Sequence, residues 1–436
     1  MKKLPPVTAA EVLLQCGALT GWLGSARNVE GAQERAKDLI SEAQRLFKSQ
    51  GRYERASEAQ YELGICYWRV GEYDEARLVM VEALKPLKDA DVELKAKILI
   101  RRTIVELCEN KFYEALNILN EARPVFESAN DALKGRWHGQ MGLVLARLAD
   151  TEGNTAHTDR AIIEFTAAIY HYELAGHERY CATNRNNVAM LLYRLGRYRD
   201  AHEHLDRAGA TLSRLKDTGL LAQVDETRAR VFLAEKKYAE ADRVITRAVQ
   251  TLEKGGASAY LSDALTIQGV ARARRGAEDS INILRRAMAL AEGIGALTNA
   301  GLAALSLIEE YGARGVLSRT ELYNLYRRAD RLLKDTQDAE DIARLRACAR
   351  IVMRRLSDLS LHDKNFSLYG AVHSLEAKLI EQALEETGGS VTAAAKLLGL
   401  KHQTFIAMLE KRHKGLQRKR TPRVKRLRSI IKEPKE

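Results

Sequence analysis

Apolar residues recur every three or four positions along most of this chain, the spacing that places them on one face of an α-helix. Residues 63–83 show the basic unit, in which two helical blocks are joined by a turn at Gly71. A small residue in the second block returns about every forty residues, at Ala43, Ala83, Ala122, Ala168, Ala208, Ala248, Ala287 and Ala329. This period predicts about eight helical pairs, each of which must stack on its neighbours to bury its apolar face.

Proline placement supports an entirely helical chain. The sequence has six prolines, and none lies between Pro124 and Pro422, so nothing there forces a break in a helix. The alternation of apolar and polar residues that is typical of strands is not found. The interval from Ala122 to Ala168 is the longest of the series, at 46 residues, which predicts a protruding loop at about residues 150–155. A helix over residues 338–356 is expected to cap the array.

The repeated unit resembles the tetratricopeptide repeat in a long form of about forty residues, through motifs such as Leu192-x-x-x-Gly196-x-Tyr198-x-x-Ala201. The resemblance implies an all-α, right-handed superhelix over residues 1–356, with the first helix of each pair on a concave inner surface. It also implies binding of a partner, because similar proteins hold extended peptides in that groove with asparagine and basic side chains.

One row of arginines fits the inner position of the first helices, and asparagines precede one member of the row. Arginine binds carboxylates, and asparagine both donates to and accepts from a peptide backbone. An extended acidic protein or peptide segment is therefore the expected ligand. Alternatively, each arginine only complements the dipole at the C-terminus of its helix. The predicted groove residues are Arg69, Arg147, Asn186, Asn187, Arg194 and Arg274.

The C-terminal region has a different pattern, that of a helix-turn-helix. Gly388 and Gly389 end one helix, and Ser390 is placed to cap the next one. Gly399 supplies the turn between two closely packed helices, where a positive φ is often needed. The small and apolar residues expected in the core are Ala394, Ala395, Leu398, Leu400, Phe405 and Leu409.

Over residues 375–416 this pattern resembles the Fis-type helix-turn-helix of bacterial transcription regulators. The resemblance implies binding to double-stranded DNA by a homodimer at a roughly palindromic site. It divides the remaining chain into a linker at residues 357–373, the helix-turn-helix at residues 374–416 and a basic tail at residues 417–436. The chain departs from the family at His402, Ile406 and Ala407, since many members have basic residues at such places.

The second helix of this motif, at about residues 402–413, is predicted to enter the major groove of DNA. Gln403 and His402 are expected to read bases, and Lys401 to contact a base or a phosphate. The residues expected to hold the DNA backbone are Thr392, Thr404, Lys411, Arg412, Lys414, Arg418, Lys419 and Arg420.

The distribution of charge agrees with this placement. The formal net charge is +12, and residues 360–436 account for +8 of it, with sixteen Lys and Arg against eight Asp and Glu. A basic end is also compatible with a solvated tail, with RNA or with an acidic membrane. The tail has no aromatic residue for stacking on bases, which weakens the case for single-stranded RNA.

Patterns of catalytic or metal-binding residues are not found in the sequence. Five cysteines are scattered without a Cys-x-x-Cys pair, so neither zinc nor disulfides are expected, and a reducing cytoplasm suits the chain. His202 and His204 do not face each other on a helix, and neither do His171 and His177. P-loop, nucleophile-elbow and dinucleotide fingerprints are missing. We therefore expect no enzyme activity, cofactor or metal.

Membrane attachment is not expected either. The first residues only faintly resemble a signal peptide, because Glu11 and Gln15 interrupt the apolar run. No later run is long enough to span a bilayer.

These features predict a cytoplasmic bacterial transcription regulator that binds specific DNA sites and, through its repeats, a protein or peptide partner. The alternative is an interaction scaffold whose basic C-terminus has only nonspecific affinity for nucleic acids. A regulator usually prefers its site by about 10³-fold or more at physiological salt, whereas a scaffold should show little preference.

Overall fold

The computed structural model describes residues 4–27, 29–88, 91–255, 258–357 and 367–419. Across these residues the regular secondary structure is helical. The chain divides into two compact units, Met1–Met353 and Arg354–Glu436. The first unit holds the repeats and the second holds the helix-turn-helix, so the all-α fold class predicted from the sequence is confirmed.

The part of the first unit that the structure describes consists of eight successive helical pairs and one further helix. The third pair is α5 with α6 and the short α7, and α18 lies where the capping helix is predicted. In chain order the helices are α1 Pro6–Ala26, α2 Ala32–Ser49, α3 Tyr53–Val70, α4 Tyr73–Leu84, α5 Val92–Cys108, α6 Phe112–Glu121, α7 Arg123–Glu127, α8 Asp131–Glu152, α9 Thr155–Leu174, α10 Glu178–Arg194, α11 Tyr198–Arg214, α12 Thr218–Ala234, α13 Tyr238–Gly255, α14 Ser258–Arg274, α15 Ser280–Gly293, α16 Leu297–Tyr311, α17 Arg319–Leu332 and α18 Ala339–Ser357.

The alanines that define the period are buried where the helices pack. All eight are at most 2% exposed. Glycines on the first helices serve the same purpose, since a Cβ on Gly142 would lie 2.7 Å from the Phe165 ring and one on Gly269 would lie 2.5 Å from Leu284. Protein interiors are too densely packed to accept a side chain there. The repeat period read from the sequence is therefore the packing period of the fold.

The first helices of the pairs form one side of the array. α1 contacts α3, α3 contacts α5, α5 contacts α8, and α10, α12, α14 and α16 contact one another in series, whereas comparable contacts between successive second helices are not found in the described chain. Helices that meet on one side only make the array curve toward that side, so the first helices line an inner surface. The exception is α8 with α10, which meet closely at Gly139 and Asn184 and otherwise part to form a cleft.

The predicted loop at residues 150–155 is wrong. The additional residues of this pair lengthen its helices instead, and α8 and α9 have 22 and 20 residues. Gly153 ends α8 with a φ of +64°. The Asn154 side chain then caps α9 by accepting from the Ala156 N–H at 3.0 Å. Because glycine and asparagine complete the connection within two residues, no loop protrudes.

Helix α18 packs against α16. Cys348 is fully buried, and its thiol donates to the Leu305 carbonyl at 3.7 Å. Arg344 pairs with Glu309 at 2.9 Å and donates to Ser306 Oγ at 3.1 Å. This helix therefore covers the side of α16 that has no further repeat to pack against.

The second unit is a small helical bundle. It consists of α19 Leu368–Glu386, α20 Val391–Leu397 and α21 His402–Ala407, followed by a π-helical turn, Met408–Arg412, and a 3₁₀ turn, Lys414–Lys419. Leu398 and Leu400 lie at the edge of its core. The residues that are at most 2% exposed in this core are Ile380, Ala383, Leu384, Ala394, Ala395, Phe405 and Leu409. The core predicted from the sequence is confirmed.

Candidate DNA interface and repeat cleft

Two turns set the directions of the helices in the second unit. Gly388 and Gly389 end α19 with φ of +59° and +82°, and Gly399 separates α20 from α21 with a φ of +65°. Residues with a Cβ adopt such left-handed conformations only at a cost. The Ser390 hydroxyl accepts from the Ala393 N–H at 3.4 Å and caps α20. The turn and the cap predicted from the sequence are confirmed.

The start of α21 presents polar side chains. Lys401 is the N-cap residue, His402, Gln403 and Thr404 form the first turn, and all four are exposed. Phe405, the next residue, is fully buried and anchors the helix to the core. In helix-turn-helix proteins the N-terminal end of the recognition helix contacts base edges. The structure thus brings the predicted base-contacting residues together at the end of the helix that suits them.

The segment that follows α21 contacts α19. His413, which follows the π-helical turn, is 5% exposed. Its Nε2 lies 3.3 Å from Oε2 of Glu376, and Nη1 of Arg412 lies 3.3 Å from Oε1 of the same carboxylate. The hydrogen bond to His413, together with the charge of Arg412, lowers the pKa of Glu376. Arg412, a predicted DNA contact, therefore has a protein partner in this structure.

The remaining predicted backbone contacts have different environments. Lys419 pairs with Glu381 and Glu385 on α19, both at 2.6 Å, and these hydrogen bonds raise the pKa of Lys419. Arg420 lies outside the described residues. Thr392, Lys411, Lys414 and Arg418 are exposed, and so are Arg412 and Lys419 despite their glutamate partners.

Two members of the predicted arginine row form ion pairs between repeats. Arg194 at the end of α10 pairs with Asp150 on α8, and Arg274 at the end of α14 pairs with Glu310 on α16 at 2.9 Å. These pairs join successive units of the array, a role that the sequence did not indicate. Of the other two members of the row, Arg69 is half-buried and Arg147 is exposed.

The cleft between α8 and α10 has a volume of about 380 Å³. One wall carries Tyr172 and Tyr180, whose rings stack with their centroids 5.1 Å apart. Burial raises the pKa of Tyr172 to about 12. Arg136 adds a positive charge to the lining, and the amides of Gln140 and Asn187 face the same space. The cleft therefore combines aromatic surface, amides and one cation.

The amides in and beside the cleft differ in their hydrogen bonding. Nδ2 of Asn184 donates to the Tyr180 carbonyl at 2.8 Å. Oε1 of Gln140 and Oδ1 of the neighbouring Asn186 are buried without a hydrogen-bond partner among the described residues. A buried acceptor without a donor costs about 1–3 kcal/mol.

Aligning the repeats with one another identifies part of the cleft lining from the sequence. Gln140 on α8 has the same register as Asn187 on α10, since each lies two residues before a small residue of the helix crossing, Gly142 and Ala189. Gln140 is not among the groove residues predicted from the sequence. Tyr172 comes from the second helix of its pair, so its place in the cleft has no comparable sequence signal.

Acidic side chains at the start of α18 influence the charged groups near the ion pair between Arg194 and Asp150. Burial, assisted by Asp338, raises the pKa of Asp341 to about 6 against the effects of Arg344 and Arg194. Burial also raises the pKa of Asp150, with Asp338 adding to the rise and Arg194 opposing it. The start of α18 thus lies close enough to the end of α10 to influence its ion pair.

Two of the four histidines noted in the sequence, His171 and His202, have carboxylate neighbours. Nδ1 of His171 lies 2.8 Å from Oδ1 of Asp131, and Nε2 of His202 lies 2.9 Å from Oε2 of Glu235. Within the described ranges, groups of three or more side chains suited to holding a metal ion are not found.

Comparison with known proteins finds a family match within the second unit. Residues 371–411 match the family described as bacterial regulatory protein, Fis family. Among curated proteins no match to this chain is found. In the described part of the chain, none of the helices has the length and apolar character needed to cross a membrane.

Solved structures of helical repeat proteins are similar to the array. A Rap protein complexed with competence and sporulation factor is 16% identical, with a TM-score of 0.54 over 84% of this chain and 99% of its own. The apo form of RapI is 15% identical, with a TM-score of 0.51 over 67% of this chain and 99% of its own. A signal-transduction ATPase from Pyrococcus horikoshii with a tetratricopeptide repeat sensor is 12% identical, with a TM-score of 0.52 over 79% of this chain and 55% of its own. The chain therefore combines a tetratricopeptide-like repeat array with a C-terminal helix-turn-helix of the Fis family.

Proposed function

We propose that this protein is a sequence-specific transcription regulator that binds double-stranded DNA through its second unit and a protein or peptide partner through its repeats. The observation that carries the proposal is the start of α21, where Lys401, His402, Gln403 and Thr404 are exposed together beside a buried core. The proposal includes no enzyme activity, cofactor or metal, and its setting is the bacterial cytoplasm.

Each residue of this turn has chemistry suited to DNA. The Gln403 amide can pair with N6 and N7 of adenine, and Lys401 can donate to guanine or to a phosphate. The His402 imidazole can donate or accept at a base edge. The hydroxyls of Thr404 and Thr392 are assigned to phosphates, which fix the register of the helix.

Basic residues around and after the recognition helix are proposed to hold the DNA backbone. Arg412 and Lys419 would exchange their glutamate partners for phosphates, and the exchange costs little because exposed ion pairs contribute little to stability. Phosphate contacts strengthen binding at every sequence and make it salt-dependent. The other residues in this role are Lys411, Lys414, Arg418 and Arg420.

Removing a base-reading side chain should relax the preference at one base pair. We expect Gln403→Ala or His402→Ala to weaken binding to the preferred site by about 1–3 kcal/mol, because the helix still enters the groove but lacks that contact. The site is obtained by selecting bound fragments from random genomic DNA with the full chain. Binding isotherms are then measured for every single-base variant of the site.

Lys414→Ala is the matched control for these variants. It should weaken binding to all sequences by the same factor and reduce the salt slope by about 1, because only a phosphate contact is lost. An unchanged consensus in both Gln403→Ala and His402→Ala would show that the turn does not read bases. A preference of the unaltered chain far below about 10³ would favour the scaffold alternative.

Pairing of two copies is proposed because α19 has an apolar face that its own unit leaves exposed. Leu368, Val372, Leu375 and Leu379 are 68, 48, 59 and 46% exposed, and their spacing is that of a coiled-coil seam. Two α19 helices packed along this face would relate two recognition helices by a two-fold axis. The bound site would then be roughly palindromic, with two chains per site in sedimentation of the complex.

The cleft between α8 and α10 is the proposed partner site. An extended peptide would meet amides at Asn187 and Gln140, the aromatic wall at Tyr172 and Tyr180, and the charge of Arg136. The likeness of the array to a Rap protein complexed with competence and sporulation factor supports this choice. The wider groove proposed to favour acidic segments adds Arg69, Arg147, Asn186, Arg194 and Arg274.

Loss of the Asn187 amide should weaken peptide binding. We expect Asn187→Ala to reduce the affinity of a peptide selected from a displayed random library by about tenfold or more. The physical reason is that the backbone groups of the peptide lose their partner while remaining buried. The affinity is measured by calorimetry on the full chain. Asn117→Ala is the control, since Asn117 is exposed on the second helix α6, and equal losses in the two variants would contradict the site.

A further inference from the structure

The first helix of the array has an apolar face that remains exposed. Val12, Leu19, Trp22 and Leu23 of α1 are 40, 53, 58 and 42% exposed, and the exposed Cys16 lies among them. Positions 12, 16, 19 and 23 follow the alternating spacing of four and three residues that is typical of a helix-packing seam. The face is thus patterned for contact with another helix.

The opposite face of α1 is also apolar. Leu13 and Leu14 are 4 and 1% exposed, and a Cβ on Gly17 would lie 2.6 Å from Ile40 of α2. A helix that is apolar on all sides is normally covered on all sides. α1 therefore has the composition of an internal helix, although no helix of the described chain covers this face.

The exposed face of α1 carries no formal charge. Glu11 is the only Asp, Glu, Lys or Arg of this helix, and its Oε1 accepts from Nε of Arg55 on α3 at 2.8 Å. Packing this face against an identical face would bring no like charges together, whereas a charged partner would find nothing to pair with. A two-fold interface needs this kind of self-complementarity. Helices that bind membrane surfaces usually add Lys and Arg, which α1 lacks.

We propose that the exposed face of α1 is an interface between two copies of this chain. The two α1 helices pack antiparallel across a two-fold axis near residues 16–19, so that Leu19 and Trp22 of each copy are covered by the other. The interface forms without DNA and does not involve α19. An experiment that disproves this interface would therefore leave the proposed function intact, and an experiment that disproves the proposed function would leave this interface intact.

Cys16 provides a local probe of this interface. Antiparallel packing brings the two Cys16 thiols within reach of a short bismaleimide. The other exposed cysteine, Cys108, lies on α5, and the buried ones are Cys66, Cys181 and Cys348. In the full chain without DNA we expect cross-linked dimers that persist in Cys108→Ser and vanish in Cys16→Ser. The proposal is overturned if cross-linking does not require Cys16.

Sedimentation equilibrium distinguishes this interface from the α19 face. In a Leu375→Glu background, which disrupts the α19 face, the chain should still dimerise through α1. Adding Leu19→Glu should weaken that dimer by about a hundredfold or more, since each copy would bury a charge. Adding Leu78→Glu instead should leave the affinity of the dimer unchanged, because Leu78 lies on α4, outside the proposed interface, and is 64% exposed. Circular dichroism checks that all variants remain helical.

Two results would contradict the proposal. One is a Leu375→Glu chain that remains monomeric at the concentrations of the cross-linking experiment. The other is binding of the unaltered chain, as a monomer, to neutral phosphatidylcholine vesicles that Leu19→Glu abolishes, which would assign the face to a lipid surface.

Discussion

Replacing Phe405 by alanine should unfold the helix-turn-helix and abolish specific DNA binding while the repeat array stays folded. Phe405 is fully buried, and removing a phenyl ring from a core costs about 3–5 kcal/mol. The core of so small a unit supplies about the same amount. Hydrogen exchange should therefore show α20 and α21 unprotected in the variant, with the protection of α8 to α14 unchanged.

Leu397→Ala is the control for this substitution. Leu397 lies on α20 in the same unit but is 55% exposed, so its loss should change the free energy of unfolding by no more than about 0.5 kcal/mol. Retained protection of α21 and full DNA affinity in Phe405→Ala would mean that the unit is stabilised by something other than this core.

Replacing Arg77 by alanine should destabilise the second and third helical pairs by about 3 kcal/mol. Nε and Nη2 of Arg77 donate to the two carboxylate oxygens of Glu106 at 2.7 and 3.0 Å, and Asp74 and Glu109 contact the same guanidinium. Glu106 is only 3% exposed, so its charge would remain buried without its main partner. Because repeat arrays open locally, the loss should appear as faster hydrogen exchange in α4 and α5.

The cost of Arg77→Ala can be compared with the cost of a substitution in an exposed ion pair. Arg45 pairs with Glu42, and the Arg45 side chain is 74% exposed, so Arg45→Ala should change the stability of the array very little. Combining Arg77→Met with Glu106→Gln should recover part of the loss, because the buried charge is removed together with its partner. Equal effects of Arg77→Ala and Arg45→Ala would show that burial of Glu106 does not determine the cost.

Features encoded within a few residues could be predicted from the sequence. The eight alanines mark helix crossings because a crossing requires a small residue wherever the rest of the chain lies. Ser390 and Gly399 act on the turns in which they stand. The error at residues 150–155 has a related cause, since repeat length alone does not show whether extra residues extend a helix or a loop. Gly153 and Asn154 are the local signal that decides it, as a helix end followed directly by a cap.

Features that join distant residues could not be predicted in this way. Arg194 and Asp150 are 44 positions apart, and nothing near either residue shows that the other lies beside it. The cleft depends on the separation of α8 from α10, which the sequence of neither helix reveals. Asn187 was assigned to the groove from its residue type, whereas Gln140 required knowledge of which surfaces face each other.

The separation of α8 from α10 has a mechanical consequence. It falls between the fourth and fifth of the eight pairs, so the same number of pairs lies on each side. The shape of such an array is the sum of small rotations between neighbours. At this joint the first helices meet only near Gly139 and Asn184 and through the ion pair of Arg194 with Asp150, not along their lengths. A change of angle at the joint is multiplied by the length of either arm. A molecule that pushes α8 and α10 slightly apart would thus displace the far ends of the array by a much larger distance than it displaces the two helices.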